Sequence, residues 1–168
     1  KEYLNELEKL KTTDFLYFVS SSFFKRYGTT DEFKKALEIE VSELEKVEYS
    51  HIHRLVLNKI KSRLPLKTEL KLFPFSIKKN ANIYGIIFGA KNYAAVHKFL
   101  SIAWKRNALN GDADFDIDED SKKRQLDIFG IKKMTKIENF QEELRNKLLK
   151  IDSVSNKSVL LYTYENGH

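Results

Sequence analysis

The stretch LKLFPFSIKKNANIYGIIFG, residues 70–89, decides the fold. Its two apolar runs, Leu70–Ile77 and Ile83–Phe88, are rich in aromatic and β-branched residues and are joined by the polar sequence KKNAN. Two such runs around a short polar turn predict a β-hairpin. Pro74 has no backbone N–H to donate to a neighbouring strand, so we expect its strand to lie at a sheet edge or to carry a bulge.

A further strand is predicted upstream of the hairpin and a helix downstream. Asp14–Ser20, DFLYFVS, holds five consecutive apolar residues without alternation, which is typical of a strand covered on both faces in a parallel sheet. Residues 92–105, NYAAVHKFLSIAWK, predict an amphipathic helix. Gly85 and Gly89, in and just after the second hairpin strand, indicate close packing or a bulge. Strands between helices predict an α/β fold.

Apolar residues at helical spacing predict the remaining helices of this part. A short amphipathic helix, Glu2–Lys11, precedes the first strand. Thr29 and Glu32 have the spacing of a capping box, so a helix begins there and runs to about Val47. A second helical pattern follows and ends at Pro65, which cannot continue a helix. Together these two helices form a helical insert of about residues 29–64.

Composition divides the chain into three parts. Residues 1–110 hold the strands and the insert. Residues 111–136 begin GDADFDIDEDSKKRQ and form a charged linker. Residues 137–168 begin a C-terminal region with one amphipathic helix and a final apolar segment. Because the chain starts at Lys1 without a methionine and stops within that apolar segment, we expect it to be a piece of a longer protein.

The totals exclude some classes of protein. The chain has 168 residues, 42% of them hydrophobic, which suffices for one core with a small appendage. Without cysteine it has no disulfide, thiolate metal site or cysteine nucleophile. It has no apolar run of about 20 residues, and its first residues lack the apolar centre and cleavage pattern of a signal peptide, so we expect a cytoplasmic protein without a membrane partner. The net charge of +6 fits contact with phosphates.

The acidic run of residues 112–120 permits a metal-binding hypothesis, because hard cations take several carboxylate oxygens. A calcium loop that began at Asp112 would need glycine and glutamate where the chain has Ile117 and Lys123. We therefore favour a solvated loop. A metal-dependent nuclease that uses these carboxylates is a weaker hypothesis than the two functions considered below. His51 and His53 are two apart in a predicted helix and point in different directions. The sequence thus predicts no metal site.

The segment SSSFFKRY follows the first predicted strand at its carboxyl end, where open α/β sheets form ligand crevices. It combines hydroxyls, aromatic rings and cations, which can stack on a base and contact phosphate. The alternative is that the aromatic residues belong to the core and the cations are solvated, and the residues do not decide between the two. The candidate substrate-pocket residues are Ser20, Ser21, Phe23, Lys25 and Arg26.

These elements, in this order, resemble the bacterial three-Cys-motif partner proteins (TcmP family). That family carries a late strand followed by a closing hairpin with a signature like LPF…YYLFFGTKHPKGLE…WK. The corresponding residues here are Phe73–Phe75, Ile83–Phe88, Gly89, Lys91 and Trp104–Lys105, while Asn92 and Tyr93 replace the family's HP. The final LYTYENG is similar to the family's LYxxTLENG, and the resemblance spans nearly the whole chain.

The resemblance implies the C-terminal part of a Rossmann-like, class I methyltransferase-like sheet, followed by the start of a winged-helix-like tail. It implies a methyltransferase-like protein that acts on or binds nucleic acid, in phage defence or mobile elements. S-adenosylmethionine would be its cofactor only when an N-terminal half is present, because the cofactor motifs would precede Lys1. Its partners would be nucleic acid, a three-Cys-motif protein or that missing half. No catalytic residue is identified.

A second hypothesis is a non-catalytic module with a degenerate methyltransferase fold. Such a module would dock nucleic acid or a partner protein through the basic stretch of residues 122–136. The candidate nucleic-acid-binding residues are Lys122, Lys123, Arg124, Lys132, Lys133 and Lys136.

Overall fold

A computed structural model describes residues 2–28, 30, 39–123 and 134–168. The strands are β1 (Phe15–Ser20), β2 (Lys71–Lys79) and β3 (Asn82–Ala90). The helices are α1 (Glu2–Lys9), α2 (Ser21–Tyr27), α3 (Val41–Lys46), α4 (Ile52–Lys61), α5 (Tyr93–Arg106), α6 (Asp120–Lys123), α7 (Lys136–Leu148) and α8 (Asn156–Glu165), and a 3₁₀ turn at Tyr49–His51 precedes α4.

The three strands form one sheet in the order β1–β3–β2. β3 pairs antiparallel with both neighbours, so β1 and β2 run parallel to each other. The predicted hairpin is confirmed, with Phe73 opposite Phe88 and a turn at Asn80, whose φ of 55° asparagine tolerates. Pro74 lies in the edge strand β2, as its missing N–H requires.

The core packs one face of the sheet against α2 and α4. Val19 of β1 and Ile87 of β3 are fully buried there, together with Val56 of α4. Gly85 permits this packing, because a Cβ on it would overlap the side chain of His53 on α4. The prediction of close packing at the glycines is therefore confirmed, and so is the helical position of His53.

The prediction that the first strand is covered on both faces is wrong for the described residues. Leu16 is 66% exposed, Tyr17 42% and Phe18 60%, and only Val19 is fully buried. Within the described ranges β1 pairs with β3 alone, so one of its edges carries no strand. A continuous apolar run does not by itself say which of its faces another element covers.

The segment SSSFFKRY after β1, for which the sequence patterns predicted no helix, forms α2 over all but its first residue. The predicted capping box of Thr29 and Glu32 lies outside the described residues. The helix expected to continue to Val47 is interrupted, because Glu40 has extended backbone and forms the N-cap of α3 with a capping box to Glu43. The second helix of the insert ends at Lys61, a turn before Pro65.

The chain divides into two compact units, unit 1 at residues 1–96 and unit 2 at residues 97–168. Unit 2 contains most of the predicted helix α5, together with α6, α7 and α8. The predicted linker is not merely a solvated loop where the structure describes it, because Ala113, Ile117 and Asp120 are buried. Arg124, Lys132 and Lys133 lie outside the described residues.

The architecture is mixed α/β, as predicted. Its sheet has three antiparallel strands, whereas a Rossmann-like sheet is mostly parallel. The relationship to methyltransferases and the winged-helix-like tail therefore stay predictions. In the ranges that the structure describes, no helix is both long and apolar enough to cross a bilayer.

Candidate functional site

The five candidate pocket residues of unit 1 lie on or beside α2 and do not face one common space. Ser20 is the N-cap of this helix, and its Oγ accepts a hydrogen bond of 3.4 Å from the backbone N–H of Phe23. Ser21 is fully buried. Phe23 is half exposed and its ring packs on that of Tyr27, with centroids 4.8 Å apart. Lys25 and Arg26 are exposed in the last turn.

A cavity of about 350 Å³ opens beside α2, and Lys25 is the only one of the five candidates among the described residues that line it. The Lys25 ammonium lies 5.6 Å from the centre of the Tyr49 ring, within the range of a cation–π contact. Glu45 brings an opposite charge to the same lining. The remaining lining is apolar and consists of Phe24, Val41, Leu44, Val47 and Ile52.

This cavity can hold an apolar or planar group close to a fixed cation. The sequence patterns did not identify Tyr49 or Val47 as lining residues, because apolar residues at helical spacing predict core positions equally well. The lining forms because α2, α3 and the 3₁₀ turn pack beside one another. No local sequence pattern predicts this packing.

Three of the candidate nucleic-acid-binding lysines lie in the part of unit 2 that the structure describes, Lys122, Lys123 and Lys136, and each makes an internal ion pair. Lys122 contacts Glu119 at 2.6 Å on an exposed surface, where salt screens such a pair. Lys123 contacts the fully buried Asp120 at 2.8 Å. Lys136 contacts Asp112 at 2.8 Å. Nucleic acid would therefore meet lysines that are already partly neutralised.

Lys136 has three contacts within unit 2. Its Nζ donates hydrogen bonds of 2.8 Å to Asp112 Oδ1 and 2.9 Å to the Asn110 carbonyl. It also lies 5.4 Å from the centre of the Trp104 ring. Gly111 permits this arrangement, because its φ of 66° is left-handed and a Cβ on it would lie 2.6 Å from that ring.

Three aspartates of the acidic run have partners within the protein. Asp112 and Asp120 pair with lysines, and Asp116 accepts hydrogen bonds from backbone N–H groups. Asp116 accepts hydrogen bonds of 2.7 Å from the Asp120 N–H and 3.0 Å from the Ser121 N–H. Burial acts to raise the pKa of Asp116, but the hydrogen bonds from Ser121 and Asp120 outweigh it and lower that pKa. No cluster of three potential metal ligands occurs among the described residues.

Aromatic rings stack beside these ion pairs. The Phe140 and His168 rings are nearly parallel, with centroids 4.1 Å apart and planes 15° apart. His168 also stacks on Trp104 at 5.0 Å, and Trp104 Nε1 donates a hydrogen bond of 2.8 Å to the Gly167 carbonyl. Burial, and then the positive charge of Lys136, lower the pKa of His168 to about 4, so its imidazole is neutral at neutral pH.

The residues after β1 do not fit an S-adenosylmethionine site by themselves. Such sites use a glycine-rich turn that brings backbone N–H groups to the ligand, and an acidic residue for the ribose. Here β1 runs directly into α2, the Ser20 hydroxyl caps the helix and the Ser21 side chain is buried. Comparison of the chain with protein-family models, curated proteins and solved structures gives no match. The resemblance to the TcmP family therefore stays a prediction.

Proposed function

We propose that this chain is the C-terminal part of a TcmP-like, class I methyltransferase-like protein that acts on or binds nucleic acid. One observation carries the proposal. The edge of β1 that faces away from β3 has no partner strand within the described ranges, and large apolar side chains project from the strand into solvent. Unpaired edges with exposed apolar residues favour pairing with a further strand. A preceding half of the same sheet would supply that strand.

The hairpin supports the same proposal. A late strand followed by a closing hairpin is the order that the resemblance implies, and β3 returns to lie directly beside β1. The last three strands of a larger sheet would then be β1, β2 and β3. Because β1 and β2 run parallel on either side of β3, strands added beyond β1 can be parallel to it without any change in this part.

The substrate side of this protein would lie at the carboxyl end of β1, where α/β sheets place their ligands. Lys25 is the candidate that both lines a cavity and carries a charge able to meet phosphate. With the cofactor motifs outside this chain, its own residues would bind and orient the nucleic acid. A non-catalytic binding module remains the second candidate function, favoured by the ring stack and cavity of unit 2.

The cofactor part of the proposal is tested on the natural gene product. We expect its intact mass to exceed that of this chain, and calorimetry to detect saturable binding of S-adenosylmethionine. A natural product that retains DNA in a gel-shift assay but ignores the cofactor would favour the binding module instead.

The nucleic-acid part is tested with the double substitution Lys25→Ala and Arg26→Ala. Loss of two phosphate contacts should weaken binding and reduce the slope of log affinity against log salt by about 1 to 2. The matched control is Lys105→Ala with Arg106→Ala, the same residue pair in the last turn of α5. Unchanged affinity and slope in the first variant would contradict a role for α2.

A further inference from the structure

The cavity beside α2 has walls from four elements, and its described lining residues all belong to unit 1. They come from α2, α3, the 3₁₀ turn and α4, with Val47 between α3 and the turn. The volume of about 350 Å³ lies at the low end of the range of ligand pockets, roughly 300–1,000 Å³. The space therefore suits a small metabolite better than a large ligand.

Two contacts join α3 to its neighbours. Gly28, the C-cap of α2, permits a close approach, because a Cβ on it would lie 2.5 Å from the Leu44 side chain of α3. In addition, Glu43 of α3 forms an ion pair of 2.8 Å with Lys59 of α4. Three walls of the cavity are thus joined without a ligand, and a pocket formed in advance loses less conformational entropy on binding.

Most of the described lining is apolar. Phe24 is 5% exposed and Ile52 2%, while Val41, Leu44 and Val47 are partly buried. An apolar side chain that entered this space would leave water for aliphatic and aromatic surroundings, which is favourable in proportion to the apolar area removed from water. The lining therefore selects a ligand that carries an apolar group.

Two opposite charges complete the lining. Lys25 and Glu45 are both exposed and line the same cavity. Among the described residues, neither side chain forms an ion pair or a hydrogen bond, and the only charge contact is that of the Lys25 ammonium with the Tyr49 ring. A ligand with both an ammonium and a carboxylate group would match the two side chains together, whereas a ligand with a single charge leaves one of them unmatched.

We propose that this cavity binds a free α-amino acid with a large apolar side chain, such as leucine. The carboxylate of the amino acid lies near Lys25, its ammonium group lies near Glu45, and its side chain enters the apolar part of the lining. The inference goes beyond the proposed function, because it requires neither nucleic acid nor a preceding half of the sheet.

The test follows the backbone amide signals of the whole chain by NMR during titration with L-leucine. Amides of α2, α3 and the 3₁₀ turn should shift and saturate, while those of α7, in unit 2, should not. Isocaproate, which is leucine without the ammonium group, and isopentylamine, which is leucine without the carboxylate, should each bind about fivefold more weakly, as expected for a charge contact in reach of water. Glycine, which lacks the apolar side chain, should cause no saturable shift.

Two variants separate the contributions of the charges. Glu45→Gln should remove the advantage of leucine over isocaproate, and Lys25→Gln should remove its advantage over isopentylamine. The matched controls, Glu69→Gln and Lys46→Gln, make the same chemical changes at exposed residues of unit 1 outside the described lining, and they should keep both preferences. Because all four positions are exposed, the variants should fold, and their NMR spectra check this directly.

Equal binding of leucine and isocaproate to the wild type would overturn the inference, because the two charges would then select nothing. The absence of saturable shifts, or a loss of preference in the controls as well, would also overturn it. Lys25 takes part in both proposals, but each is tested without the ligand of the other. If leucine binds as expected while gel shifts detect no nucleic acid, the cavity stands and the nucleic-acid part of the proposed function falls. The reverse result removes this inference alone.

Discussion

Gly89 illustrates how one missing side chain positions a strand. It lies opposite Phe15 in the β1–β3 ladder, and the Phe15 ring occupies the place where a Cβ on Gly89 would be. Phe15 itself packs against the main core. The glycine therefore lets an aromatic ring of the edge strand cover the central strand, which joins β1 to the core.

We predict that Gly89→Ala lowers the free energy of unfolding by about 1–3 kcal/mol, because the added methyl group must displace the Phe15 ring or the backbone. Urea denaturation measures the change. The companion variant Phe15→Ala removes the ring, so the double variant should lose less stability than the two single losses added together. Strictly additive losses would show that the ring and the glycine do not interact.

The sequence predicted that these glycines allow close packing but did not name their neighbours. A glycine within an apolar strand indicates a close approach by something. Whether that is Phe15, one strand away, or His53, on a helix from the insert, depends on register and packing. Packing also explains why the sequence did not predict Tyr49 as a neighbour of Lys25. The contact between them joins two elements that are separate in the sequence.

At the scale of elements, the hairpin and α5 were predictable because their signals are local. Alternating or continuous β-branched runs, a polar turn and a helical stripe each lie within one segment. The short helix α2 was missed because serine and aromatic residues are mediocre helix formers. Its position depends instead on the Ser20 cap and on burial of Phe24, which is 5% exposed.

β1 has exposed and buried apolar residues whose substitutions can be compared. Leu16→Ser should change the free energy of unfolding by less than about 0.5 kcal/mol, because that side chain is 66% exposed. The same change should reduce self-association at high concentration, measured by sedimentation, because it removes apolar surface from an unpaired edge. Val19→Ser, the buried comparison in the same strand, should cost about 2–4 kcal/mol.

Equal destabilisation by Leu16→Ser and Val19→Ser would mean that another part of this chain already covers the outer edge of β1. The observation that carries the proposed function would then be lost. A small effect on stability with reduced association supports an edge that is built to receive a partner strand.

Across the whole molecule, the buried apolar residues are unevenly divided. Within the described residues, the large apolar side chains buried in unit 1 include Phe24, Val56, Leu72 and Ile87. The buried apolar residues described in unit 2 are Leu100, Ala103, Ala113 and Ile117, and half of them are the small residue alanine. Unit 2 depends more on ring stacking, helix caps and ion pairs, each of which contributes little in contact with water.

Unit 2 should therefore open at a lower free energy than unit 1, because burial of large apolar side chains is the main favourable term in folding. Native-state hydrogen exchange in low concentrations of urea measures this directly, with amides of α7 and α8 losing protection before those of β3. Gly89→Ala should lower the protection of β3 and leave that of α7 unchanged. If the protection of α7 falls as far as that of β3, the two units unfold as one, and the ion pairs and rings of unit 2 stabilise it more than their exposure indicates.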